Sequence, residues 1–129
     1  MRRTLVEYLR EEGYGVLEAE NTKAAEETLD KADSGVDLVL LDVRMPGEDG
    51  VAFLNRRPEF AESLPIIMMS GHGTIELAVE AVHLGAFDFL EKGFTPERLL
   101  ITVERALQMR ALREQNLALK EEHRALHRM

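Results

Sequence analysis

Three polar residues close three strand-like stretches of the chain: Asp42 ends VDLVLLD, Ser70 ends PIIMMS and Lys92 ends AFDFLEK. A carboxylate can act as a nucleophile toward phosphorus and form an aspartyl phosphate. That product is strongly anionic, and a hydroxyl and an ammonium on neighbouring strands would supply the donors it needs. Phosphoryl transfer asks for positioning and charge neutralisation more than for covalent chemistry. Mg²⁺ commonly does the neutralising, held by carboxylate, carbonyl and water. Taken singly, each residue fits a plainer role: Asp42 as a turn cap, Ser70 as a loop entry, Lys92 as a solvated edge charge. His72, in SGHGT, reads as an exposed loop residue with no second metal ligand near it, and Met68 and Met69 read as core and its flank. The weight lies in the recurrence of the three at successive strand ends.

The elements that position them alternate. Residues 2–12 read as a helix with Leu5, Val6 and Leu9 on one face and Gly13 as its stop. Residues 14–19 read as a short strand. Residues 22–32 read as a helix capped by Asn21, with Ala24, Ala25, Thr28 and Leu29 inward. The run 36–42 is apolar on both faces, as suits a parallel strand covered by helices on either side. A short helix over 50–57 and a buried strand over 65–70 follow. Next come a helix over 74–85, with Ile75, Ala78, Val79 and Val82 inward, and a strand over 86–92. Thr95 caps a last helix with Pro96 at its first position. Such alternation predicts a doubly wound parallel α/β sheet, whose functional crevice lies beyond the C-terminal ends of the strands.

The last helix has no stop signal. Leu99, Leu100, Val103 and Leu107 suit packing on the sheet, and beyond them Met109, Leu112, Asn116, Leu119, His123 and Leu126 recur at intervals of three and four. That is a heptad seam, and a lone Asn at such a position commonly fixes register and strand number. The expected division is an α/β domain over 1–108 and a helical linker over 109–129, pairing two chains into a homodimer.

Composition bounds the rest. The chain of 129 residues is 45% apolar and 31% charged, fit for one globular domain with a real core. It has no cysteine, which excludes disulfides and thiolate chemistry. The net charge of −8 argues against direct nucleic-acid binding. From Glu104 onward six Arg/Lys against four Asp/Glu give +2, leaving −10 on the remainder, an acidic globule joined to a mildly basic helix. No apolar run approaches the ~20 residues that cross a bilayer, and the N-terminal residues lack a signal-peptide core. A cytoplasmic protein without membrane contact is expected. Neither a P-loop nor a nucleophile elbow is present, so no enzyme is expected beyond self-catalysed phosphotransfer and dephosphorylation.

The stretches DLVLLDVRMPGEDG, PIIMMSGHGT and AVHLGAFDFLEKGF resemble the receiver domain of two-component response regulators. The resemblance covers residues 1 to about 108 and looks closest to NtrC-type transcription activators, whose last helix leads into an AAA+ ATPase domain. It implies a flavodoxin-like fold and a sensor histidine kinase as phosphodonor. Asp42 would be the phosphoacceptor, Ser70 and Lys92 the phosphate contacts, and Phe89 the switch aromatic. The backbone carbonyl of Arg44 would join Asp42 in holding Mg²⁺, and the surface of 74–94 would be the output face.

Two departures from that pattern carry consequences. Receivers open with a strand that ends in an acidic pair and lies in the middle of the sheet; this chain opens at the helix that follows it. Without that strand, buried backbone groups go unpaired at about 1–3 kcal/mol each. Flanking strands would then close up, another chain would lend a strand, or the sequence is incomplete. Without the acidic pair, Mg²⁺ should bind weakly unless Glu48 or Asp49 substitutes. The second departure is Gly93, where the family has a proline joined by a cis bond. A cis bond before a non-proline costs about 2.5–4 kcal/mol, so a trans bond and a looser loop that could displace the Lys92 ammonium are expected. The runner-up reading is a degenerate receiver, a constitutive protein–protein or dimerisation module without phosphotransfer.

Overall fold

The computed structural model describes residues 2–31 and 34–127, with side chains over 4–31 and 34–116. Its elements run α1 (Arg2–Glu11), α2 (Thr22–Leu29), β1 (Val39–Asp42), α3 (Gly50–Arg56), α4 (Glu59–Ser63), β2 (Ile66–Ser70), α5 (Ile75–His83), β3 (Asp88–Glu91) and α6 (Pro96–His127). The strands form one parallel sheet in the order β1-β2-β3. This is the doubly wound parallel architecture expected of the alternating pattern.

Each face of the sheet carries its own core. Leu41, Val43, Ile66 and Met68 pack with Phe53, Leu54 and Phe60 on the side of α3, α4 and α5. Ile67, Met69 and Leu90 pack with Leu9, Leu99, Val103 and Ala106 on the side of α1 and α6. All five residues of β2 are buried, so its unbroken apolar run is what a central strand requires. Ile67, Met68, Leu54 and Leu99 are wholly inaccessible, each such side chain contributing about 1.5–3 kcal/mol.

Local signals set the helix boundaries. Asn21 Oδ1 accepts from the Ala24 amide at 2.8 Å, Thr74 Oγ1 from the Leu77 amide at 3.1 Å and Thr95 Oγ1 from the Arg98 amide at 3.1 Å. The long helix α6 is tied down where it leaves the domain: Arg110 donates to the Asp37 carboxylate at 2.6 Å and to the Val36 carbonyl at 3.3 Å, just ahead of β1.

Two expectations need correction, and one element was not among them. Residues 14–19 form no strand. The segment has no backbone ladder to any neighbour among the described residues, because the strand next to it in the receiver pattern is absent from them and β1 has not closed up to replace it. The inward face of α5 is Leu77, Ala81 and Leu84, whereas Ile75, Val79 and Val82 are 82%, 50% and 72% exposed. The helix is apolar on two stripes, and spacing alone does not say which one the sheet covers. The short α4 over Glu59–Ser63 went unforeseen, being too brief to show a period.

Candidate functional site

Parallel strands with matched registers bring their ends to one rim. Asp42 is the last residue of β1, Ser70 the last of β2, and Lys92 follows the last residue of β3. The register aligns Asp42 with Met69 and Ser70 with Glu91, so all three lie within about one residue of a common line. The Lys92 amide donates to the Ser70 carbonyl at 2.8 Å, extending the β2–β3 ladder to the rim. The Lys92 side chain then reaches back across β2, and its Nζ lies 2.6 Å from Asp42 Oδ2.

Asp42 is thereby engaged on both oxygens, since Oδ1 accepts from the Arg44 amide at 3.0 Å. The two ion-pair side chains are 28% and 29% exposed, so the site is open to solvent and to a small donor molecule. A partly exposed pair of this kind contributes about 1 kcal/mol or less, and opening it is a small barrier to an incoming phosphoryl group. Ser70 is buried, and its Oγ accepts from the His72 amide at 3.2 Å, the first turn of the 71–74 loop. Phe89 sits half-buried beneath that loop, close enough that a Cβ on Gly73 would lie 3.1 Å from its ring. One loop thus touches both the hydroxyl and the aromatic residue.

The bond between Lys92 and Gly93 is trans, as expected. Gly93 has φ +105°, a conformation that side-chain-bearing residues rarely adopt. The loop does not displace the ammonium, contrary to the expectation drawn from the missing proline: the tight Lys92–Asp42 contact survives.

The β1–α3 loop carries Arg44, Glu48 and Asp49. Neither acidic residue is free to replace a missing metal ligand. Glu48 accepts from Thr22 Oγ1 at 2.8 Å and from Arg56 at 2.8 and 2.9 Å, which pins the loop to α2 and α3. The guanidinium holds the Glu48 carboxyl down to about 2, so it stays ionised and engaged. Asp49 caps α3 by accepting from the Ala52 amide at 2.7 Å. Among the described residues no three His, Cys, Asp or Glu side chains cluster to hold a metal. Asp42 and the Arg44 carbonyl alone, with a lysine already on the carboxylate, do not fit the oxygen-rich shell that Mg²⁺ takes.

Sequence reasoning missed Gly50. A Cβ there would lie 2.7 Å from the Asp42 carbonyl oxygen and 3.2 Å from Val43 Cα, so α3 starts pressed against the strand end that holds Asp42. The glycine in GEDG was visible, but nothing local shows a backbone approach from another element. The Glu48–Thr22–Arg56 latch was missed for the same reason.

Three parallel strands wound between helices on both faces, with polar residues gathered at the C-terminal rim, define a flavodoxin-like α/β domain. Residues 1–104 match the family model described as response regulator receiver domain, and the chain belongs to that family, the receiver domains of two-component response regulators. It is 47% identical over 90 residues to the C4-dicarboxylate transport transcriptional regulatory protein DctD of Pseudomonas aeruginosa, covering 67% of this chain and 20% of that protein. The receiver domain of NtrX from Brucella abortus superposes with a TM-score of 0.74 at 37% identity, covering 83% of this chain and 89% of that one. The beryllofluoride-activated NtrC4 receiver domain dimer gives 0.76 at 35%, covering 84% and 88%. The chain therefore spans about a fifth of the curated DctD relative but most of each solved receiver. No described helix is long and apolar enough to cross a membrane.

Proposed function

We propose that Asp42 accepts a phosphoryl group and that the state of this carboxylate governs the rim and the α5 surface beyond it. The observation that carries this reading is the Lys92 ammonium held 2.6 Å from the Asp42 carboxylate across the width of the sheet. In the step, an Asp42 carboxylate oxygen bonds to phosphorus as the bond from phosphorus to the donor's leaving oxygen or nitrogen breaks. The leaving group keeps that electron pair and takes a proton from solvent. Lys92 turns from the carboxylate to the new phosphoryl oxygens, and Ser70 Oγ donates to another. Drawing Ser70 inward moves the 71–74 loop, and Phe89 beneath it follows. No step is routed through Mg²⁺, because the residues present do not fit it, and uptake is slow as a result.

A sensor histidine kinase is the donor in this reading. Its output passes along α6, with residues 109–129 as a helical linker that pairs two chains and joins an effector domain of AAA+ type. The exposure of Met109 and Leu112, at 51% and 59%, supports a seam that a second helix would cover, and Asn116 is exposed on the same helix. The side chains of Leu119, His123 and Leu126 lie outside the described residues. The runner-up reading, a constitutive protein–protein or dimerisation module without phosphotransfer, is the less favoured, since the chain belongs to the receiver family. The two separate on Asp42→Asn: a folded variant that no longer takes label from a small phosphodonor supports phosphotransfer, and equal labelling of both proteins refutes it.

A further inference from the structure

A carboxylate needs its plane fixed before it can attack in line, because the last torsion of an aspartate side chain is broad and two-fold. At Asp42 the Arg44 amide does this, donating to Oδ1 at 3.0 Å, so the plane follows the loop of residues 43–49. The ends of the loop are closed by backbone bonds: the Val43 amide donates to the Met69 carbonyl at 2.8 Å and the Gly50 amide to the Val43 carbonyl at 2.9 Å. Between those ends, Glu48 reaches out to other elements. Its Oε1 accepts from Thr22 Oγ1 at 2.8 Å and from Arg56 Nη2 at 2.9 Å, and its Oε2 accepts from Arg56 Nε at 2.8 Å. A two-pronged contact between guanidinium and carboxylate fixes orientation as well as distance.

The anchor behind Glu48 is built from charge. Arg56 Nη1 also reaches Glu26 Oε2 at 2.7 Å, and Arg57 pairs with Glu26 at 2.9 Å and with Asp30 at 2.7 Å, so α2 is tied to the end of α3. Leu29 is the α2 side chain that joins the apolar core. Thr22, at the start of α2, is buried, which gives its hydroxyl a fixed place. The Arg56 and Glu48 side chains are 47% and 26% exposed, and ion pairs so open to water add little to stability. The fork is therefore better suited to placing the loop than to stabilising the domain.

We propose that Glu48 is a positioning residue for phosphotransfer at Asp42. Held by Thr22 and Arg56, it keeps the 43–49 loop where the Arg44 amide stays on Oδ1, and it thereby presents Oδ2 to the donor when Lys92 turns away. Oδ2 then bonds to phosphorus as the bond to the leaving group breaks. The leaving group keeps that electron pair and takes a proton from solvent, while Oδ1 remains on the amide throughout. Without Glu48 the loop and its amide drift, the carboxylate turns about its last torsion, and fewer encounters are in line. The inference rests on the reading of Asp42 as the phosphoacceptor.

The test labels the full chain with acetyl phosphate, well below the melting midpoint of each protein, and follows the Arg44 amide proton resonance. Glu48→Ala should label at Asp42 about ten- to a hundredfold more slowly than the wild-type chain, with the Arg44 resonance moved upfield as its bond to Oδ1 is lost. Thr22→Val removes one of the bonds to Glu48 and keeps the side-chain shape, so it should slow labelling by a smaller factor. Thr22→Ser keeps the hydroxyl and should label at the wild-type rate; this pair decides the matter if Glu48→Ala does not fold. Glu59→Gln is the control, since it weakens an ion pair of Arg57 in the same cluster, away from the loop. Any loss of melting midpoint in it should leave rate and resonance unchanged. Wild-type labelling in both Glu48→Ala and Thr22→Val overturns the proposal, and so does equal slowing in Glu59→Gln, which would mean a general loosening. A wild-type chain that takes no label at Asp42 overturns the phosphoacceptor reading itself, and the inference with it.

Discussion

Lys92 Nζ and Asp42 Oδ2 stand 2.6 Å apart although fifty residues separate them in sequence. No loop brings them together. Three short parallel strands do, each ending at the same rim, and the lysine spans the middle strand to reach the carboxylate. The pair places a cation where a phosphoryl group on Asp42 would put its charge.

The same pair bears on metal binding. With one carboxylate at the rim, already met by an ammonium, Mg²⁺ should bind with a Kd in the range of ~10 mM or weaker, about −3 kcal/mol. Titration followed by the amide resonances of Asp42 and Arg44 checks this. Saturation at micromolar Mg²⁺ would show that other ligands complete the site.

Gly50→Ala should destabilise the domain by about 1–3 kcal/mol, because the new Cβ meets the Asp42 carbonyl at 2.7 Å and backbone has little room to give. Thermal melting should show a loss of several degrees. An unchanged midpoint would mean that α3 slides away from β1 at no cost.

Glu48 makes a pH signature. Its folded-state value is about 2, below its ordinary 4.5, so the stability from its bonds to Arg56 and Thr22 is fully present above about 4.5 and is lost as the pH falls toward 2. The melting difference between the wild-type chain and Glu48→Gln should therefore be flat from pH 8 to about pH 5 and shrink below that. A difference that instead changes between pH 6 and 8 would point to another group.

Asn116→Leu should raise the melting midpoint of the paired form and loosen its oligomer state, since a polar seam residue trades stability for register. Sedimentation equilibrium reads both chains. A wild-type chain that stays monomeric at tens of micromolar would remove the seam from the account.

The three rim residues were legible because each is a polar residue closing an apolar run, a pattern that survives without knowledge of the partners. The helix caps Asn21 and Thr95 were legible for a similar reason: each acts within three residues of its own position. The inward face of α5 was not, because Ile75–Val79–Val82 and Leu77–Ala81–Leu84 have the same period and only the sheet chooses between them. Residues 14–19 have strand-like sequence without strand structure, since pairing is a property of the neighbour. Gly50 and the Glu48 latch depend on approaches between elements that no local spacing encodes.

Mapping the phosphoryl group after treatment with a small phosphodonor tests the central claim most directly. Reductive trapping of the acyl phosphate followed by peptide mass spectrometry should find a slowly formed, single adduct on Asp42, absent from Asp42→Asn and reduced in Lys92→Gln. An adduct on any other residue, or none after prolonged exposure of the folded chain, would contradict the account.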